Sequence, residues 1–123
     1  WRKAYQRYYL AFQATGGYWT GINAATSSLI LGDRDSALRL AASDREICLK
    51  ETAKLSKDHP DWYWLMATLA EAALIHQDWP EAVLFYSEAA GRIGSRFGVF
   101  GSSDRNACLV LTALNDEIEI TWR

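Results

Sequence analysis

The chain has 123 residues, half of them hydrophobic and 23% charged, which suits one domain with a real core. A net charge of -2 and a pI near 5.6 argue against a general affinity for nucleic acid or anionic membrane. No run reaches the roughly 18 apolar residues of a membrane span, and no basic segment precedes an apolar one as in a signal peptide.

In chain order, the first helix is expected over 1–14, with Gly16-Gly17 as its stop, and the second over 19–31, with Gly32 as its stop. A long helix over 34–57 ends at the His59-Pro60 step, and helices over 61–76 and 80–96 follow. The glycine-spaced loop GRIGSRFGVFG (91–101) then leads to a last helix from about 103. The two prolines, Pro60 and Pro80, read as first-turn residues just behind N-caps. Asp78 and Glu81 have the spacing of a capping box. Strand-like alternation is confined to Glu117–Trp122, read as helical or frayed, so the fold class is all-α. The chain opens on Trp1 already in helical pattern, which reads as a fragment of a longer protein. Cys48 and Cys108 read as buried free thiols of a reducing cytoplasm rather than as a disulfide.

The helices repeat. INAATSSLILGD (22–33), ATLAEAALIHQD (67–78) and RNACLVLTALND (105–116) each end in an Asp, with separations of 45 and 38 residues. A small residue stands eight positions before each Asp (Ala25, Ala70, Cys108), and Ala37 and Ala82 stand four positions after the first two. Small residues there let two antiparallel helices approach closely. Gly32 supplies the turn, Asp33 caps the next helix, and Tyr86 and Ala89 pack back. Such hairpins cannot bury their apolar faces alone and must stack. One domain over 1–123 is expected: an α-solenoid with repeats at about 18–57 and 61–97 and a partial one at 102–123.

These small-residue spacings and helix pairs resemble tetratricopeptide repeats over 21–44 and 64–90. A narrower resemblance rests on Thr15-Gly16-Gly17-Tyr18, Gly21-Ile22-Asn23-Ala24-Ala25-Thr26 and Leu31-Gly32-Asp33. It continues in Asp61-Trp62-Tyr63-Trp64 and Ala67-Thr68-Leu69-Ala70-Glu71-Ala72. From about Tyr5 to Arg105 the chain is similar to the TRAFs-binding domain of the apoptosis signal-regulating kinases and its bacterial relatives. The resemblance implies a helical scaffold that binds proteins and regulates an attached effector. No kinase motif accompanies it: there is no glycine-rich loop after a strand and no His-Arg-Asp.

Helix phase gathers Trp19, Ile22, Thr26 and Leu29 on one face, with Trp64, Ala67, Glu71 and Leu74 as their equivalents. In a stacked solenoid such faces line a concave groove suited to a partner peptide or helix. The candidate groove residues are Trp19, Asn23, Thr26, Trp64 and Glu71; the alternative is that the tryptophans fill core. Of the six tryptophans, Trp62 or Trp79 is expected to be partly exposed. Asn23 either satisfies a buried group near the Gly17 turn or clamps a peptide backbone. Arg92, Arg96 and Arg105 surround the glycine loop and could hold an anion at a helix start, or belong to a solvated loop. The loop follows no strand, so it is no phosphate-binding fingerprint. The two histidines, His59 and His76, sit in no metal or catalytic motif. The expectation is therefore a non-catalytic cytoplasmic scaffold for a protein or peptide partner, without metal or cofactor. The alternatives are a module sensing an anionic small ligand and an oligomerisation unit self-associating through exposed solenoid ends.

Overall fold

The computed structural model describes residues 2–90, 110 and 112–114. Regular structure among them is wholly helical: α1 (Arg2–Thr15), α2 (Tyr18–Ile30), α3 (Arg34–Lys54), α4 (Trp62–Ile75) and α5 (Trp79–Ala90). Val110 and residues 112–114 are helical too, and Val110 and Leu114 are buried in the core. The glycine loop with Arg92 and Arg96, the residues Arg105 and Cys108, and the segment Glu117–Trp122 lie outside the described residues. No helix among the described residues is long and apolar enough to cross a membrane.

The joints follow the punctuation. Gly16 adopts φ +68° and its N–H donates to the Phe12 carbonyl at 2.7 Å, closing α1. The turns after α2 and α4 share one geometry. At the first, Gly32 N–H donates to the Leu29 carbonyl (3.0 Å) and Asp33 N–H to the Ser28 carbonyl (2.9 Å). At the second, Gln77 N–H donates to the Leu74 carbonyl (3.0 Å) and Asp78 N–H to the Ala73 carbonyl (2.9 Å). Both are Schellman closures, which need a left-handed residue: Gly32 has φ +86° and Gln77 has φ +60°. Next, Asp33 Oδ1 accepts from Ser36 N–H (3.1 Å) and Asp78 Oδ1 from Glu81 N–H (3.2 Å), so each Asp caps a helix.

Three expectations are corrected. Helix α3 ends at Lys54 rather than 57, because Leu55 turns extended (φ -109°, ψ 151°) to pack against the second apolar cluster. Pro60 precedes the cap Asp61 instead of following one, and His59 Nδ1 accepts the Asp61 N–H at 3.1 Å. The capping box is half made: the Glu81 carboxylate turns to Arg45 of α3 instead, pairing with its Nε at 3.2 Å.

Each helix packs on the next, and α2 also packs on α4. The seams are lined with alanine: Ala24, Ala25, Ala37, Ala41, Ala70 and Ala72 are fully buried, and Ala82 and Ala89 nearly so. Two apolar clusters result. The first joins Ile22, Ala25 and Leu29 of α2 to Ala37, Leu40 and Ala41 of α3 and Ala72–Ile75 of α4, with Tyr86 against it. The second joins Cys48 of α3, the stretch Trp62–Leu69 of α4 and Ala89 of α5. Cys48 is a free, buried thiol. Of Trp62 and Trp79, one of which is expected to be partly exposed, Trp79 is the exposed one and Trp62 is buried.

The matched turns make a paired prediction. Nothing lies within 4 Å of a Cβ built on Gly32, so Gly32→Ala should lower stability by about 1–2 kcal/mol through backbone strain alone. Gln77→Gly relieves the same strain and should leave stability level or raise it. Urea titrations of both variants check this; equal losses at the two sites would show that the turns differ.

Candidate functional site

Between the two apolar clusters lies a polar layer. On α3, Asp44 falls between Ala41 of the first cluster and Cys48 of the second. On α4, Glu71 falls between Leu69 of the second and Ala72 of the first. On α2, Gly21 is next to Ile22 of the first and three residues from Tyr18, which packs on the second. Asp44 is wholly buried and Glu71 is 4% exposed. A Cβ on Gly21 would collide with Asp44 Oδ1 and would lie 2.9 Å from Phe12 Cε1 of α1 and 3.0 Å from Asp44 Cγ. Glycine is required there because Phe12 of α1 and the Asp44 carboxyl of α3 both meet α2 at that point.

Neither carboxyl oxygen of Asp44 hydrogen-bonds any described residue. Burial, and then the charge of Glu71, push its pKa from 3.8 up to about 8, since an uncompensated buried charge is costly. Burial, followed by the charges of Asp44, Glu51 and Glu71, also pushes the Cys48 thiol far up, so it is not poised as a nucleophile. The Tyr18 hydroxyl rises to about 12, through burial first and then through Asp61, Cys48, Glu51 and Asp44. Among the described residues, the charges that act on Asp44, Cys48 and Tyr18 are all acidic or come from each other. Among the described residues, no three His, Cys, Asp or Glu side chains converge to hold a metal ion.

The expected groove residues divide. Trp19 is 55% exposed and meets Tyr8 of α1 edge-on, with centroids 5.7 Å apart. Asn23 is half-buried, and its Nδ2 donates to the Trp19 carbonyl at 2.8 Å. One of its two amide N–H groups is thus committed within its own helix. The Gly17 turn is served instead by Thr20 Oγ1, donating to the Gly17 carbonyl at 2.9 Å, and by Thr15 Oγ1, accepting from Gly17 N–H at 3.2 Å. Thr26 and Glu71 are buried; they face the interior and not an open groove. Trp64 is half-buried, edge-on to Tyr63 at 5.1 Å and packed on the second cluster. The Asp44–Glu71 layer was missed in sequence reading, although a lone Asp in the apolar stripe of α3 was its visible sign. Compared with protein-family models, curated proteins and solved structures, the chain matches none.

The layer predicts an unusual pH dependence. Asp44 binds its proton more tightly folded than unfolded, so its contribution is complete below about pH 4 and is lost as pH rises towards about 8. The slope in that window reaches about 1.4 kcal/mol per pH unit. Denaturant titrations should show the protein weaker near pH 8 than near pH 5, and Asp44→Asn losing most of that difference. An unchanged pH slope in Asp44→Asn would assign it to other groups.

Proposed function

We propose that the chain is a tetratricopeptide-like scaffold of stacked helix hairpins, a cytoplasmic and non-catalytic module that binds a partner protein and regulates an associated effector. The observation that carries this reading is the packing order. The pairs α2/α3 and α4/α5 are joined by short turns of one geometry, and the first helices of the two pairs, α2 and α4, also touch. Stacked hairpins in a solenoid pack in this way. Kinship with the TRAFs-binding domain belongs to the same proposal. The space-limited Gly21 and the fully buried Ala24 and Ala25 give a packing reason for the Gly-Ile-Asn-Ala-Ala string.

In this arrangement the first helices line the concave side. The accessible residues there are Trp19, Asn23 and, in part, Trp64, with Thr26 and Glu71 beneath them as support. A tryptophan half open to solvent and braced by Tyr8 is the kind of anchor that dominates an interface. A photo-crosslinking residue at position 19 should give defined protein adducts in cells, and one at Leu49 on α3 should not. Trp19→Ala should then weaken the captured partner by about 2 kcal/mol or more. Equal adducts from both positions would remove the groove reading.

Self-association is a second reading, favoured by the outward apolar residues of α5: Trp79, Val83 and Leu84 are 47%, 66% and 57% exposed. Sedimentation that shows oligomers in the parent chain and monomers in Val83→Lys would support it; a monomeric parent would dismiss it.

A further inference from the structure

We propose that the cleft between α1 and α3 is a second docking site, which takes an acidic peptide segment of a partner protein through one large apolar side chain. The proposal rests on the scaffold reading and names a different surface and a definite partner chemistry. Helices α1 and α3 both pack on α2 and leave a cleft of about 400 Å³ between them. That volume is within the range of ligand sites.

One wall is aromatic. Tyr5, Tyr9 and Phe12 of α1 line the cleft, and the rings of Tyr5 and Tyr9 stack 5.6 Å apart at 20°, which makes a flat apolar face. The facing wall is Ser36, Leu40 and Ser43 of α3. Leu40 is buried and Ser43 is exposed, so a greasy floor lies under a small-residue rim. A large apolar side chain suits that shape, because aromatic walls bind such groups through broad contact area. Gln13 and Arg39 complete the rim, and both are exposed. The site is thus open along the helices and suited to a chain lying across it, not to an enclosed small molecule.

Charge fixes the sign of the partner. Arg39 is the sole charged residue lining the cleft. Helix α1 carries Arg2, Lys3 and Arg7 and no acidic residue, and Arg2 is three positions before Tyr5, on the same helical face. The first acidic residue in the chain is Asp33. Its carboxylate does not line the cleft; the hydroxyl and N–H of Ser36 and, more weakly, the charge of Arg39 hold its pKa down, and Arg39 Nη2 in turn donates to Ser36 Oγ at 3.3 Å, which places the guanidinium at the cleft's edge beside Asp33. A cationic rim over an apolar floor selects acidic flanks around an apolar anchor.

Three fluorescein-labelled peptides test this by anisotropy: a Leu-Phe pair flanked by glutamates, the same pair flanked by lysines, and a Gly-Gly pair flanked by glutamates. The first should bind at least about tenfold more tightly than either control, and its affinity should fall with salt. Arg39→Glu and Ser43→Tyr, both at exposed positions and checked by thermal melts, should each weaken it by about tenfold or more. Trp19→Ala should leave it unchanged. Equal binding of the glutamate- and lysine-flanked peptides would overturn the proposal, as would full binding in folded Arg39→Glu and Ser43→Tyr. Loss in Trp19→Ala alone would overturn the cleft and leave the scaffold reading standing. If no peptide binds up to about 1 mM, the cleft fails, and the crosslinking at position 19 judges the scaffold separately.

Discussion

The fold depends on the absence of a side chain at Gly21. Phe12 of α1 and Asp44 of α3 both come within about 3 Å of where a Cβ would stand, so two neighbouring helices converge on one backbone position of α2. This contact sets the depth of α3 against α2 and fixes the level at which α1 crosses. With Phe12 held there, Tyr9 and Tyr5 fall one and two turns away along α1 and line the same cleft as Ser36 and Leu40 of α3. The cleft and the polar layer are therefore two results of one close approach.

A buried carboxyl is a poor way to stabilise a bundle, since an apolar side chain of like size usually does as well or better. Asp44 makes more sense as a register mark. Alanine seams are nearly featureless: sliding α3 by one turn against α2 would exchange one alanine for another at little loss. A slide that moved Asp44 off Gly21 would press its carboxyl into the apolar clusters on either side, which is strongly unfavourable. The close approach that a glycine allows, facing an acid that fits nowhere else, gives the α2–α3 seam one register.

Much of this was legible in the sequence. Gly16, Gly32, Asp33 and Asp78 act as turn and cap residues, as their chemistry implies, and the alanines at the repeat positions are buried. Helix ends that depend on tertiary contacts were less legible. Leu55 leaves α3 to reach an apolar cluster, a preference that no local signal carries. Glu81 had the spacing to bond its own helix start, but Arg45, 36 residues away in sequence, competes for it. Likewise, helix phase put Thr26 and Glu71 on the right face, but it could not tell whether that face was open or covered.

The burial of α4 narrows where a partner could act. Every residue from Leu65 to Ile75 is buried, with Val110 and Leu114 in the cluster that covers its C-terminal half. Among the described residues, accessible surface with recognisable chemistry then lies on the outward side of α5 and on the N-terminal side, where α1 has no fully buried residue. Tyr8 of α1 braces Trp19 on one side, and its neighbour Tyr9 lines the cleft on the other. The two surfaces are served by adjacent residues of the least buried helix.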